Sequence, residues 1–337
     1  MLLSVIIPVY NGEKYITECL NSIKKQINDD VRDKVEVITV NDGSKDRSLS
    51  ILSEYHIDNT WLKVIDKQNG GVSSARNEGL ENAVGKYVTF VDIDDTLAPG
   101  AIGRILETVG ETEADIYIGD YYEVAENNEI LRTKAVGSIV DNDRKKLDRE
   151  LLLGYFINAC WGKIYRSDII KTNKLRFPTD IKIGEDLLFV AEYLKYVKNV
   201  CSIKTCIYNY RQLDNGTVVR NRSRLDENNI SDFIRTLKCK QGYASFVKIS
   251  EREYQELLEE FSNMISGNLN LMLKSDYSLR EKIVKADRFI NEKYIFNIIE
   301  EVSKDKNVNL KRRISNKVVM NKFTRNLYVI IKHCLKK

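Results

Sequence analysis

Three carboxylates stand within four residues at the end of an apolar run. The run Tyr87–Val91 leads into Asp92, Asp94 and Asp95 in the sequence FVDIDDTL. Closely spaced carboxylates attract a hard divalent cation such as Mg²⁺ or Mn²⁺, which also binds phosphate oxygens. A metal placed there can neutralise charge on a diphosphate leaving group. The alternative is that Asp95 or Thr96 caps the helix that follows, which accounts for only one of the three carboxylates.

A second acidic pair opens the apolar segment GEDLLFVAEYL. The pair is Glu185 and Asp186. A carboxylate can act as a general base toward a hydroxyl group. Acidic residues in the first turn of a helix are also favoured by the helix dipole, without any catalytic purpose. Both interpretations stay open from the residues alone.

The segment NGGVSSARNEG, residues 69–79, is rich in glycine. It contains neither the dinucleotide-binding pattern G-x-G-x-x-G nor the phosphate-loop pattern G-x-x-x-x-G-K-[ST]. Its position between a strand and a helix can still aim backbone N–H groups and Arg76 at an anionic ligand. A helix start with a packing glycine is the alternative.

The elements that must position these residues form a strand–helix alternation. Helical spacing of apolar residues appears between the strands, at 16–27, 49–55 and 73–84. Four runs rich in Val, Ile and Leu read as strands covered on both faces: Leu3–Val9, Val35–Val40, Leu62–Ile65 and Tyr87–Val91. The alternation predicts an α/β fold with a mainly parallel sheet and flanking helices.

Polar residues follow each of the four predicted strands. The sequences are PVYNGE, NDGSKD, DKQNGG and DIDD. Each can be an ordinary turn, since Asp, Asn and Gly are turn formers. In open α/β sheets, however, ligands bind outside the carboxyl ends of the strands. Four such ends in succession predict a single site.

Length and composition indicate a large globular domain followed by a helical one. The chain has 337 residues, with 43% hydrophobic and 30% charged residues. We expect a domain at 1–220 and a helical domain at 221–337. The net charge of +4 gives no indication of nucleic-acid binding. Two histidines make a histidine-rich zinc site or a Ser-His-Asp triad improbable, and six scattered cysteines favour reduced thiols and a cytoplasmic location.

The last residues, 307–337, contain nine Lys or Arg and no Asp or Glu. They predict a basic amphipathic helix, which suits an anionic membrane surface or packs its apolar stripe on the domain. The predicted basic face holds Lys322, Arg325, Lys332 and Lys336. The predicted apolar face holds Met320, Phe323, Leu327, Ile330, Ile331 and Cys334.

Two enzyme families have acidic motifs of this kind. DIDDTL matches the D-x-D-x-T signature of haloacid-dehalogenase-type phosphatases, in which Asp92 would be the nucleophile and Asp94 the acid/base. That signature usually sits on the first strand of its fold, whereas three strand–helix units precede it here. Six motifs in order resemble family 2 glycosyltransferases of the GT-A fold, especially bacterial enzymes that build surface polysaccharides. The resemblance covers about residues 1–215 and is carried by SVIIPVYN (4–11), VNDGSKD (40–46), NGGVSSARNEG (69–79), FVDIDD (90–95), WGKIYR (161–166) and GEDLLF (184–189).

The resemblance implies where the nucleotide of the donor binds. It places the base and ribose against four residues of the first strand end, with Glu13 at the ribose and Asp42 at the edge of the base. The four residues are Pro8, Val9, Tyr10 and Asn11. It also places Gly70, Gly71 and Arg76 beside the nucleotide.

The resemblance also implies an inverting, single-displacement transfer with Mn²⁺ or Mg²⁺ as cofactor. Asp94 is the expected metal ligand, and Asp92 the expected contact to ribose or to the metal and its water. Usual members have Ser where Ile93 stands. Asp186 is the expected base, and Glu185 the residue that holds the acceptor.

The resemblance also implies substrate contacts for Trp161, Lys163 and Arg211. Trp161 and Lys163 would lie near the sugar and acceptor, and Arg211 near the diphosphate. The expected donor is a nucleotide-diphosphate sugar, most commonly a UDP-sugar, with dTDP- and GDP-sugars open. The expected acceptor is a glycan or a lipid-linked sugar at the inner membrane face. The helical region leaves a homodimer open.

Overall fold

A computed structural model describes residues 1–57, 59–154, 156–212, 225–305, 308 and 310–334. The chain divides into two compact units. One unit comprises Met1–Ile181 and Glu185–Leu213, and the other comprises Lys182–Gly184 and Asp214–Lys337. The domain boundary expected near residue 220 lies outside the described residues.

The four strands expected from the sequence form a parallel sheet in the order β3-β2-β1-β4. They are β1 (Leu3–Val9), β2 (Val35–Asp42), β3 (Leu62–Lys67) and β4 (Tyr87–Phe90). The helices between them are α1 (Ile16–Lys24), α2 (Asp29–Arg32), α3 (Ser48–Ile57) and α4 (Val72–Asn82). Because these strands run in parallel, their carboxyl ends meet at one edge of the sheet.

Beyond β4 the sheet becomes mixed, which differs from the prediction of a mainly parallel sheet. The order continues β4-β8-β6-β9-β5, and β7 pairs with β6. The added strands are β5 (Thr96–Leu97), β6 (Ile116–Val124), β7 (Ile130–Lys134), β8 (Lys163–Arg166) and β9 (Val200–Arg211). β6 and β9 are parallel, while β8 runs antiparallel to both β4 and β6. The associated helices are α5 (Ala101–Glu111), α6 (Val136–Val140), α7 (Arg144–Leu153), α8 (Ser167–Thr172) and α9 (Glu185–Leu194), with a 3₁₀ turn at Phe156–Asn158.

Close packing of α4 on β1 fixes the position of the residues that α4 carries. A Cβ atom at Gly79 would lie 2.4 Å from Ile6 Cγ2, so a larger residue would push the helix off the strand. Ile6 is completely buried, and Ala75, one turn before Gly79, is buried as well. This close packing therefore holds α4, and the Arg76 that it carries, in a fixed position against β1.

The second unit is helical. Its helices are α10 (Glu227–Val247), α11 (Glu251–Lys274), α12 (Leu279–Asn291), α13 (Lys293–Lys304), α14 (Leu310–Met320) and α15 (Lys322–Cys334). Ser250 with Glu253 and Ser278 with Glu281 form capping boxes at the starts of α11 and α12. Of the helices that the structure describes, none is long and apolar enough to cross a membrane.

The terminal segment differs in three ways from the expected basic amphipathic helix. It forms two helices, α14 and α15, and α15 packs against α11 and α12. Arg325, expected on the basic solvent face, is buried and pairs with Asp287. Ile331, expected on the apolar face, is 49% exposed. The side chains of Phe323, Leu327 and Cys334, and all of Lys336, lie outside the described part of the chain.

Candidate active site

The loops after β1 and β2 hold each other through side chains and backbone. Asn11 N–H donates to Ser44 Oγ at 3.0 Å, and Lys45 N–H donates to Asn11 Oδ1 at 2.8 Å. The Glu13 carboxylate accepts from Arg47 N–H at 3.0 Å. Asn11 and Glu13, expected beside the nucleotide, therefore tie two loops of the site together.

The other residues expected at the base differ in exposure. Pro8 and Val9 lie within β1, paired with β2, and both are buried. Tyr10 is 48% exposed. The expected contact of Pro8 and Val9 with the base stays a prediction. Tyr10 and Asn11 are the residues here that present side-chain surface.

Asp42 joins the end of β2 to the glycine-rich segment. Its Oδ1 accepts from Gly70 N–H at 2.9 Å and from Lys67 Nζ at 2.7 Å, and its Oδ2 accepts from Gly71 N–H at 2.7 Å. Gly71 has φ +86°, a backbone conformation that favours glycine. The Asp42 side chain is only 3% exposed. Its carboxylate therefore shapes the glycine-rich loop.

The three carboxylates after β4 occupy three different environments. Asp92 Oδ1 accepts from Arg76 Nη2 at 2.8 Å, and its side chain is 27% exposed. Burial and the charge of Asp92 raise the pKa of Asp94 to about 6. Asp95 is buried, and its carboxylate accepts from the Tyr208 hydroxyl at 2.7 Å and from Arg211 N–H at 2.7 Å.

The capping alternative for these carboxylates is wrong. The residue before α5 is Gly100, which has no side chain, and the side chain that bonds to the first turn of α5 is Gln26, whose Oε1 accepts from Ile102 N–H at 3.0 Å. Thr96 Oγ1 instead accepts from Asn209 Nδ2 at 3.0 Å. Asp95 and Thr96 thus attach the turn after β4 to β9.

Arg76 connects the turn after β4 to the acidic pair at the start of α9. Its Nη2 donates to Asp92, while its Nη1 donates to Asp186 Oδ1 at 2.7 Å and lies 3.4 Å from Glu185 Oε1. The side chain is 4% exposed, and Nε has no hydrogen-bond partner in the described part of the chain. Arg76, expected beside the nucleotide, is paired with three carboxylates, and its contact with an anionic ligand stays a prediction.

The start of α9 places two carboxylates in a buried setting. Asp186 Oδ2 accepts from Cys160 N–H at 3.2 Å in addition to its bond with Arg76. Burial raises the pKa of Asp186, and the Arg76 charge opposes that rise. Burial and the neighbouring Asp186 raise the pKa of Glu185 to about 7, again against Arg76. Two carboxyl groups with raised pKa values beside one guanidinium are typical of a site that handles protons.

Trp161 and Lys163, expected to contact sugar or acceptor, are interior residues. The Trp161 ring stacks on Tyr208 at 4.7 Å and on Tyr210 at 4.9 Å between ring centroids. Lys163 Nζ donates to the carbonyls of Ala159 at 2.6 Å and Trp161 at 3.2 Å. Burial lowers the pKa of Lys163 to about 8. Both side chains are buried by these contacts, and their expected contact with sugar or acceptor stays a prediction.

Arg211, expected to approach the diphosphate, is buried at the end of β9. Its Nε donates to Asp94 O at 2.8 Å and its Nη1 to Glu126 O at 2.9 Å. Its Nη2 pairs with Glu18 Oε2 at 2.7 Å. All three guanidinium nitrogens are therefore engaged by protein, and Arg211 supports the turn that carries Asp94.

Asp92 and Asp94 suit a divalent cation whose remaining ligands come from a diphosphate and water. Within the described ranges, no group of three or more His, Cys, Asp or Glu side chains is arranged to hold a metal. Mg²⁺ is, however, commonly bound by one or two carboxylates together with substrate phosphates and water. The like charge of Asp92, with burial, already raises the pKa of Asp94. A cation would relieve that repulsion.

Sequence reasoning missed Tyr208 and Glu18. Tyr208 accepts from Asp92 N–H at 3.1 Å and donates to Asp95, and Glu18 holds Arg211. Glu18 carries no motif, since it is one of two charged residues of the amphipathic helix α1. The run YNYR at the end of β9 was the available signal for Tyr208, because alternate residues of a strand point to the same face.

Comparison with solved structures gives the fold. The fold is similar to that of residues 1–349 of S. aureus TarS in complex with UDP, with a TM-score of 0.69 and 24% identity over 100% of this chain and 91% of that one. It is also similar to mannosyltransferase PcManGT from Pyrobaculum calidifontis in complex with GDP-Man and Mn2+ (TM-score 0.53, 14% identity, 99% of this chain and 87% of that one). The fold is that of the GT-A glycosyltransferases.

Sequence comparison gives the family. The model of glycosyl transferase family 2 matches residues 4–173. The putative glycosyltransferase EpsH of Bacillus subtilis (strain 168) is 30% identical over 263 residues, which cover 77% of this chain and 73% of EpsH. The chain belongs to glycosyl transferase family 2, and the phosphatase interpretation finds no support. The chain spans less than a third of the length of several other curated relatives.

Proposed function

We propose that this glycosyltransferase moves a sugar from a nucleotide-diphosphate sugar, a UDP-sugar in the first instance, to a hydroxyl of a glycan acceptor, with inversion at the anomeric carbon. One observation carries the proposal. Arg76 binds both Asp92, on the turn expected at the diphosphate, and Asp186, the expected base. A donor-side and an acceptor-side carboxylate thus share one guanidinium, which suits a single displacement between two substrates.

Asp94 and Asp92 would hold Mn²⁺ or Mg²⁺. When bound, the metal neutralises the diphosphate that leaves with the nucleotide. The raised pKa of Asp94, caused by burial and by Asp92, supports this assignment because a cation favours the ionised carboxylate. The Mn2+ complex of PcManGT adds support from the same fold.

Asp186 would accept the proton of the acceptor hydroxyl as that oxygen attacks the sugar. A raised pKa brings a carboxylate closer to the range in which a general base works well near neutral pH. Arg76 and Cys160 N–H fix the direction of its carboxylate. Glu185, one residue earlier, would orient the acceptor.

The nucleotide would lie against Tyr10, Asn11 and the loop that Asp42 shapes. Asp42 binds both Gly70 N–H and Gly71 N–H, so it would set the wall of the base pocket, and its Oδ2 would accept a ring N–H of the base. S. aureus TarS has been seen with UDP and UDP-GlcNAc, which makes a uridine nucleotide the first choice.

The acceptor class comes from relatives that act on bacterial surface polymers. TarS is a poly(ribitol-phosphate) beta-N-acetylglucosaminyltransferase, and this chain matches it at 26% identity over 86% of its own length and 48% of that protein. GgaB is a minor teichoic acid biosynthesis protein. We propose a surface polysaccharide or its lipid-linked precursor as acceptor.

A peripheral membrane contact would use the exposed residues of α15. Ile330 is 38% and Ile331 49% exposed, and Lys332 beside them is also exposed. Apolar residues flanked by lysine suit an anionic lipid surface. Exchange of Ile330 and Ile331 for Ser should reduce binding to anionic vesicles relative to neutral ones. Unchanged vesicle binding would refute the contact.

Transfer is tested by incubating the protein with Mn²⁺ and a panel of UDP-sugars, then measuring UDP release with and without surface-polymer acceptors. Release that rises with acceptor, together with a product of inverted anomeric configuration by NMR, is expected for one UDP-sugar. Failure with UDP-, GDP- and dTDP-sugars alike would overturn the proposal. A product of retained configuration would overturn the single displacement.

A further inference from the structure

We propose that the Tyr208 hydroxyl positions the turn of Asp92 and Asp94 for the metal of the donor. Tyr208 acts through the turn and is not itself a metal ligand. The inference rests on the proposed function in one respect, the binding of a divalent cation by the two aspartates.

The hydroxyl closes a ring of hydrogen bonds around the turn. It accepts from Asp92 N–H at 3.1 Å and donates to Asp95 Oδ2 at 2.7 Å, while Asp95 N–H donates to Asp92 O at 3.0 Å. Asp94 lies between the two residues that this ring holds. The backbone of the turn that carries Asp92 and Asp94 is therefore held by a group outside the turn.

The end of β9 holds the same turn at further points. Arg211 N–H donates to Asp95 Oδ1 at 2.7 Å, and Arg211 Nε donates to Asp94 O at 2.8 Å. These contacts fix the outer side of the turn. Tyr208 adds the bond to Asp92 N–H, so its loss frees that N–H while the Arg211 contacts still hold Asp94 and Asp95.

The ring of Tyr208 has no freedom to follow a shifted turn. It is buried, and it stacks on Trp161 with an interplanar angle of 7°. Trp161 in turn meets Tyr121 edge to face at 4.9 Å. The packing of aromatic rings around Trp161 therefore fixes the position of the Tyr208 hydroxyl.

Removal of the hydroxyl leaves the Asp92 N–H and one Asp95 oxygen without this partner in a buried setting. Buried groups that lose a partner are unfavourable, so the turn is expected to rearrange toward other donors and water. Groups that orient metal ligands without contacting the metal commonly affect metal affinity by about 10- to 100-fold. A change of that size is expected here.

The test compares Tyr208→Phe with Tyr117→Phe. Tyr117 is also buried in the sheet, and its hydroxyl contacts Thr112 O, Ala114 N–H and the Tyr87 hydroxyl. Calorimetric titration of Mn²⁺ into each protein at saturating UDP gives the metal affinity directly. Tyr208→Phe should weaken Mn²⁺ binding about 10- to 100-fold, and its transferase activity should recover at high Mn²⁺. Tyr117→Phe should keep the wild-type affinity for Mn²⁺.

Wild-type Mn²⁺ affinity in Tyr208→Phe would overturn the proposal. An equal loss in both variants would overturn it too, because the effect would then be general destabilisation. If the unaltered protein binds UDP equally well with Mn²⁺ and with EDTA, the metal assignment itself fails and the inference about Tyr208 falls with it. If Tyr208→Phe does not fold, Trp161→Phe loosens the ring and keeps the hydroxyl. It should weaken Mn²⁺ binding severalfold, and no change would refute the inference.

Discussion

At the scale of single residues, Arg76 organises the acidic side chains of this site. Its guanidinium binds Asp92 with one nitrogen and Asp186 with another, and Glu185 lies within reach. Three buried or half-buried carboxylates close together would otherwise favour protonation. The positive charge of Arg76 favours the ionised form of these carboxylates.

Exchange of Asp186 for Asn should lower kcat by about 10²- to 10⁴-fold, the usual range for loss of a general base. The amide keeps the shape but accepts no proton from the acceptor. UDP affinity should stay at the wild-type value in calorimetry. Glu192→Gln, at a half-exposed position of α9, is the matched control and should keep full activity. Asp186→Asn with normal kcat would remove Asp186 from the mechanism.

Glu185 should make the stability of the folded chain fall as pH rises. Its pKa is about 7 in the folded chain, against the ordinary glutamate value of 4.5 that applies once the chain unfolds. Between these values the folded form holds a proton that the unfolded form has lost. The stabilisation is complete below pH 4.5 and is lost as pH rises through about 7. The Tm of Glu185→Gln, measured relative to that of the wild type, should therefore rise between pH 5 and pH 8. A difference in Tm that is the same at both pH values would contradict the assignment.

At the scale of elements, loops from separate strands are joined by single carboxylates. Asp42, at the end of β2, accepts the N–H groups of Gly70 and Gly71. Asp95, after β4, accepts from two residues of β9. Each carboxylate thus fixes a segment far away in sequence.

Asp42→Asn should destabilise the protein by about 1–3 kcal/mol, because the amide NH₂ would face a backbone donor. The glycine-rich loop should loosen, and UDP affinity should fall. Asp66→Asn on β3 is the control: Asp66 accepts from Asn41 and lies on the neighbouring strand. Chemical denaturation and UDP titration measure both effects. Equal loss of UDP affinity in both variants would argue against a specific role for the Asp42 loop.

The sequence predicted the four parallel strands well, because buried strands leave a local pattern. Runs of Val and Ile mark buried strands, and Asp92 and Asp94 follow one of them directly. The fates of Trp161, Lys163 and Arg211 depend on tertiary packing. An aromatic ring or a cation near an active-site motif can point toward the ligand or toward the core. Which of the two applies depends on how β8 and the end of β9 pack, and the sequence pattern does not give that packing. Arg76 reaches carboxylates 16 and 110 residues away, which no spacing rule predicts.

At the scale of the whole molecule, the helical unit has its own buried ionic contact. Arg325 is almost completely buried, pairs with Asp287 and donates to Val319 O at 2.9 Å at the end of α14. The sequence pattern predicted Arg325 on a solvent-exposed face. Helical periodicity shows which residues share a face, but it does not show which neighbouring helix covers that face. Arg325 joins α12, α14 and α15.

Arg325→Met should lower the stability of the helical unit by about 1–3 kcal/mol, since it leaves carbonyl and carboxylate acceptors without their donor. Lys322→Met, at the exposed start of α15, should change it by less than about 0.5 kcal/mol. Thermal melts followed by far-ultraviolet circular dichroism compare the two. Equal Tm values would show that the buried pair adds no stability.

The central claim is that Asp94 and Asp92 bind a metal against a nucleotide diphosphate, and one calorimetric experiment tests it most directly. UDP is titrated into the protein with Mn²⁺ and with EDTA, and the same is done with Asp94→Asn. We expect UDP to bind with Mn²⁺, to bind far more weakly in EDTA, and to lose the metal effect in Asp94→Asn. UDP binding of equal strength in all conditions would contradict the claim.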